Sequence, residues 1–215
     1  EMISFIEDIL DRVPKTVEKT VIINSNLNTK PIVLERFLQY VKNNPHTKIG
    51  VSASFDSLEQ KCEAIRYGIN WERAMNNLKR YFEFDNVQVF LSPTVNLLSV
   101  PDMLEYIIYF KELYERYNKP LWFNQNMVAE PWLSPTSMLP EHNTMLDDAI
   151  DYCKEHNIEF VNHLEHLKQL IGTDNTPETR NHVRKHLEYL ELKRPHTKWR
   201  ELFPHIEDII RGSTK

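Results

Sequence analysis

Along the first two-thirds of the chain, short apolar runs of strand character alternate with stretches of helical periodicity. Residues 20–26 read TVIINSN, an apolar strand that turns polar at its end. Residues 48–56 read KIGVSASFD, 86–93 read NVQVFLSP and 121–128 read LWFNQNMV, each with the same drift toward polarity. Helices are predicted between them: 31–44 with Pro31 at the first helical position, 58–68 capped by Ser57 and stopped by Gly68, 71–82, and 101–118. A short amphipathic helix over 4–13 precedes the first strand. Strands separated by helices of this length imply parallel βαβ units. After Val128 the chain turns to a proline-punctuated, aromatic-anchored loop, AEPWLSPTSMLPEHN, and then to helices through residue 212.

The strands share a phase. Gly50, Ser52, Ser54 and Asp56 fall on one face of the second, and Ile49, Val51, Ala53 and Phe55 on the other. Gln88, Phe90 and Ser92 share a face on the third, as do Trp122, Asn124 and Asn126 on the fourth and Asn24 and Asn26 on the first. A parallel sheet covered on both faces reads apolar throughout. One polar face, more polar toward each C-terminal end, predicts an α/β fold with a partial (β/α) barrel arc of about four parallel strands, followed by a C-terminal helical extension. The alternative is an open flavodoxin-like sheet with polar strand ends. The division expected is residues 1–130 for the arc and 131–215 for the loop and helical extension.

Composition removes several function classes. Four glycines in 215 residues, at Gly50, Gly68, Gly172 and Gly212, leave neither a Walker A loop nor a GxGxxG turn. Cys62 and Cys153 are far apart and supply neither a four-cysteine zinc site nor an iron–sulfur cluster. They make no secreted disulfide framework, and the expected setting is cytoplasmic. A formal net charge of −5 argues against a general nucleic-acid surface, and no run is apolar enough to span a membrane. The chain opens Glu-Met, which suggests that its natural start lies upstream.

Candidate chemistry gathers at the strand ends. Asn26, Ser54, Asp56, Ser92 and Asn96 converge on one rim if the strands are parallel. Taken singly, such residues cap helices, as Asp56 and Ser57 both could. Taken together, they suit a polar small molecule, with Asp56 able to accept from ribose hydroxyls.

Four segments in order resemble radical S-adenosylmethionine (SAM) enzymes, in particular phage and bacterial members carrying a twitch domain. NSNLN at 24–28 resembles that family's third-strand end. SASFDS at 52–57 followed by AIRYGINWERAMNNL at 64–78 is similar to its fourth strand and helix. VQVFLSPTVN at 87–96 and LWFNQNMV at 121–128 resemble its fifth and sixth strands. The resemblance implies a partial barrel binding SAM beside a [4Fe–4S] cluster, for 5′-deoxyadenosyl radical chemistry on an unknown substrate. It places Ser54 and Asp56 at the ribose, Arg66 at the methionine carboxylate, Asn26 near SAM or substrate, Asn96 just after the fifth strand, and Asn126 by the adenine. The family's C-x-x-x-C-x-x-C and GGE motifs are absent, so this chain alone is expected to be inactive, with the cluster ligands in a missing N-terminal segment. Without the resemblance, Arg66 reads as a surface helix arginine.

Eight of the nine histidines follow position 140. His163/His166 and His182/His186 have chelating spacings, but HLEH and HVRKH sit among charges and read as solvated faces. Trp199, Phe203, Ile206 and Ile209 are expected to dock the C-terminal helices. Cys62 and Cys153 are expected to be buried, inert thiols. The other function classes are a non-catalytic binding module using the polar rim and a metal-dependent barrel hydrolase.

Overall fold

The computed structural model describes residues 19–213, apart from 125 and 129, together with Asp8 and Arg12. The expected helix over 4–13 otherwise lies outside the described residues. The fold is mixed α/β. Strand β1 (Lys19–Ser25) is followed by α1 (Pro31–Asn43), β2 (Thr47–Ala53), α2 (Glu59–Ile65), α3 (Trp71–Phe82) and β3 (Val87–Leu91). Then come β4 (Thr94–Val95), α4 (Met103–Arg116) and β5 (Asn126–Met127). The remainder is helical: α5 (Asp147–Glu155), α6 (Val161–Leu170), α7 (Pro177–Lys193), α8 (Trp199–Leu202) and α9 (Ile206–Arg211). Two 3-10 segments, Pro135–Ser137 and Pro140–Leu146, order the proline-rich loop.

β1, β2 and β3 form a parallel sheet in consecutive order, with Ile23 opposite Val51 and Val51 opposite Val89. β4 and β5 form a second parallel pair, and a single bridge between Leu91 and Phe123 joins the two sheets. The fourth strand expected over 121–128 is thus broken into a bridge and a two-residue strand. Pro93, between β3 and β4, has no N–H to donate, which interrupts the ladder at that point. No closed barrel forms among the described residues.

Alternation decides which face is packed. Ile49, Val51, Ala53, Val87, Val89 and Leu91 are buried in one core with Phe37 and Leu38 of α1, Leu78 and Phe82 of α3, and Tyr106 and Phe110 of α4. The Tyr114 hydroxyl donates to the Val89 carbonyl at 3.2 Å, and Phe82 packs edge-on against Tyr114 at 4.8 Å. The opposite face is open toward its margins, while Gly50 and Ser52 at its centre are buried. Ile22 is 67% exposed, and Asn24, Gln88, Trp122 and Asn124 are also exposed. Gly50 is flanked on that face by Ile22 and Phe90, whose side chains would lie 3.2 and 3.3 Å from a Cβ.

Trp199, Phe203, Ile206 and Ile209 are all buried and carry α8 and α9 onto the core, as their spacing suggested. Each fully buried side chain of this size contributes about 1.5–3 kcal/mol of transfer free energy. Ser57 does not cap α2. The helix begins at Glu59, and the Ser57 hydroxyl instead donates to Asp102 at 3.4 Å, beside a Lys61–Asp102 ion pair at 2.6 Å.

Candidate functional site at the strand ends

The site is assembled by the way β2 ends. Phe55 turns into the core, stacked on Phe110 at 5.8 Å and edge-on to Trp71 at 5.6 Å. The Tyr106 hydroxyl donates to the Phe55 carbonyl at 3.0 Å. With Phe55 held inward, alternation sends Asp56 to the other side, where its side chain is 6% exposed. Its Oδ1 accepts from Arg66 Nη2 at 2.8 Å and from the Thr94 backbone N–H at 2.8 Å. Arg66 Nη2 also lies 3.4 Å from Thr94 Oγ1. The Arg66 Nε–H is buried without a protein partner. Such a donor is costly to leave unpaired and suits an anionic or carbonyl oxygen.

Arg66 and Asp56, expected at the methionine carboxylate and the ribose of a cofactor, bond to each other. Arg66 is not a surface arginine. α2 stops at Ile65, and Gly68 at φ +86° turns the chain back, which lays the guanidinium over the end of β2.

Asn126 is exposed, and its Nδ2 donates to Ser92 Oγ at 2.7 Å, so β3 and β5 are tied at their ends. Two residues earlier, Asn124 Nδ2 reaches Ser52 Oγ at 3.3 Å. Ser54 is half-buried, and its backbone N–H donates to the Ser25 carbonyl at 2.8 Å. Asn26 is exposed, and its Oδ1 accepts from the Asn28 N–H at 3.1 Å, an Asx turn at the rim.

Asn96 does not belong to the rim. It is buried, with Oδ1 accepting from the Leu98 N–H at 2.9 Å and Nδ2 donating to the Thr94 carbonyl at 3.0 Å. Both side-chain ends are spent on the local turn. Two residues missed in the sequence complete the arrangement. Thr94 is the hinge between Asp56 and Arg66. Asn28 donates to the Gly68 carbonyl at 2.6 Å and accepts from the Asn70 N–H at 3.1 Å, locking the β1 loop to the loop after Arg66. The Pro93-Thr94 break was the only signal for the first.

Metal chemistry finds no support among the described residues, which contain no group of three His, Cys, Asp or Glu able to hold an ion. Burial pushes the Cys62 thiol up to about 12 and the Cys153 thiol up to about 11, so neither is a ready thiolate. His163 is buried while His166 is exposed, so that pair does not share a solvated face. His142 and His205 are also buried, with rings 6.4 Å apart. A separate cavity of about 370 Å³ lies between α4 and residues 156–160, lined in part by Tyr114, Trp122, Phe123 and Phe160. No family model, curated protein or solved structure matches this chain.

Proposed function

We propose that this chain forms the SAM-binding part of a radical SAM core, with the parallel strands as an arc of its partial barrel. The observation that carries the reading is the Arg66–Asp56–Thr94 cluster at the C-terminal strand ends, with a buried Arg66 Nε–H left to donate. That donor suits the methionine carboxylate. The Asp56 carboxylate, the Ser54 hydroxyl, and the Asn26 and Asn126 amides suit ribose and adenine. Consecutive strand order with helices on one face is what an arc requires.

The residues fit SAM but not the cluster. Only two cysteines are present, both buried with raised thiol pKa, so a [4Fe–4S] cluster would need ligands from sequence other than these 215 residues. The same observation favours a second reading, in which the chain alone is a SAM-binding module without redox chemistry.

Calorimetric titration of SAM into the protein tests the proposal. Saturable binding is expected, weakened about tenfold or more in Arg66→Ala, the worth of one charge-assisted hydrogen bond, with unchanged circular dichroism. Absence of binding to the parent protein, or equal affinity in the folded variant, overturns it.

A further inference from the structure

Helix α7 carries an uncommon surface. Its buried face is Thr179, Val183 and Leu187. Beside that face runs a stripe of His182, Lys185, His186, Tyr189 and Lys193, spaced by three or four residues and so aligned along the helix. The stripe is about 16 Å long at the helical rise. Its rings are already in mutual contact. Trp132, from the loop after β5, lies 6.1 Å from His186, and His186 lies 6.3 Å from Tyr189 in stacked orientation. Lys193 Nζ sits 5.8 Å over the Tyr189 ring.

At the C-terminal end of α7, Arg194 covers the Tyr67 ring at 4.6 Å and donates to the Ala64 carbonyl at 2.7 Å. This brings the stripe beside the loop that follows Arg66. Tyr189 is 54% exposed, Leu192 77%, Tyr67 80% and Trp132 37%, much of the exposed large apolar surface outside the open sheet face.

The local charge reverses that of the chain. Residues 177–200 hold seven Lys and Arg against three acids, whereas the whole chain is at −5. Glu188 and Glu191 are engaged by Arg184 and Arg200, and among the described residues no ion pair engages Lys185, Lys193 or Arg194. Charges elsewhere are screened within about 8 Å at physiological ionic strength, so the local balance is what an incoming anion meets.

Exposed rings already in mutual contact, interleaved with cations held in no ion pair among the described residues, match a ligand that offers π faces and negative charge at short intervals. We propose that the α7 stripe binds single-stranded nucleic acid. The bases stack on Tyr189 and Trp132, and the phosphates meet Lys185, Lys193 and Arg194. A duplex keeps its bases stacked inside and offers these rings nothing. Pre-formed contact between the rings removes part of the ordering cost of binding. The inference is independent of the SAM reading.

Fluorescence anisotropy of a labelled mixed-sequence 12-nucleotide RNA and its DNA counterpart tests it, on the whole chain at 50 and 200 mM NaCl. Binding is expected to weaken with salt. Tyr189→Ala is expected to weaken it at least about fivefold, the worth of one stacked base. Lys185→Glu with Lys193→Glu is expected to abolish binding at 200 mM NaCl. All three positions lie on the surface, and thermal melts establish that the variants are folded. Arg66→Ala is expected to bind the oligonucleotides like the parent protein, which separates this result from that of the SAM titration. No binding by the parent protein, parent-like affinity in Tyr189→Ala, or equally good displacement by polyglutamate, which has charge without bases, overturns the proposal.

Discussion

Asn77, midway along α3, donates through Nδ2 to the Leu27 carbonyl at 2.6 Å across a separation of 50 residues. The same amide nitrogen donates to the Thr29 carbonyl at 2.8 Å. Leu27 is buried and holds φ at +54°, a left-handed conformation costly for a branched side chain. Asn77 is thus what fixes the turn that carries Asn26 to the rim. Asn77→Ala leaves the two carbonyls without that donor and is expected to lower stability by about 1–3 kcal/mol. Urea unfolding checks it: the midpoint should fall with the slope unchanged. A parent-like midpoint would remove Asn77 from this role.

The second expectation concerns acid. His205 is buried against the core, its Nε2 2.7 Å from the Leu97 carbonyl, with His142, Asp102 and Lys61 as its charged or titratable neighbours. Burial is the main cause that lowers its pKa to about 4, opposed by the Leu97 carbonyl. Burial is also the main cause that lowers His142, His163 and His186. The unfolded chain therefore binds more protons than the native one below the ordinary histidine value of about 6.5. Stability is fully present above that value and is lost as pH falls toward 4. His205 alone accounts for about 3 kcal/mol at 1.36 kcal/mol per pKa unit. His205→Gln, which keeps a donor for Leu97 but does not titrate, is expected to flatten the decline between pH 6.5 and 4. Unfolding midpoints across that range decide it.

The third expectation contrasts two glycines with nearly the same backbone. Gly68 has φ +86° and nothing within 4 Å of an added Cβ. Gly172 has φ +80°, and its Cβ would meet the Pro140 backbone at 2.6 Å. Gly68→Ala is expected to cost only the left-handed penalty, about 1–2 kcal/mol. Gly172→Ala carries the same penalty plus a clash with main chain that cannot rotate away. Its melting temperature should therefore fall well below that of Gly68→Ala. Equal losses would mean that residue 140 yields freely.

Much of the architecture was legible along the chain, for reasons seen in particular segments. α3 was expected over 71–82 and is found there, its apolar positions recurring on one face and Asn70 accepting from the Arg73 N–H as a true cap. The first and third strands were legible because each alternates a more buried and a more open face, and the second because its apolar residues keep the same period although nearly all of it is buried. α2 was misread at its start because Ser57 has the composition of a cap. Its hydroxyl was claimed instead by Asp102, 45 residues away. Asn96 was misread for a similar reason, since an asparagine at a strand end serves a ligand or its own turn with the same atoms.

By itself, then, the sequence determined the things that depend on near neighbours: the period of each strand and helix, the parallel alternation, the one-sided polarity of the sheet, and the scarcity of thiols and glycines that removes phosphate loops and a self-sufficient cluster. The tertiary structure decided what depends on distant partners. It paired Arg66 with Asp56 rather than leaving either free, broke the fourth strand at the Pro93 junction, and buried His163, expected on a solvated face, along with His142 and His205. It also brought Trp132 against His186, tilted at 6.1 Å, from an element some fifty residues away. The physical reason is that a hydrogen-bonding or aromatic side chain has several satisfactory partners in principle. Only the packing of the core selects which one lies within reach.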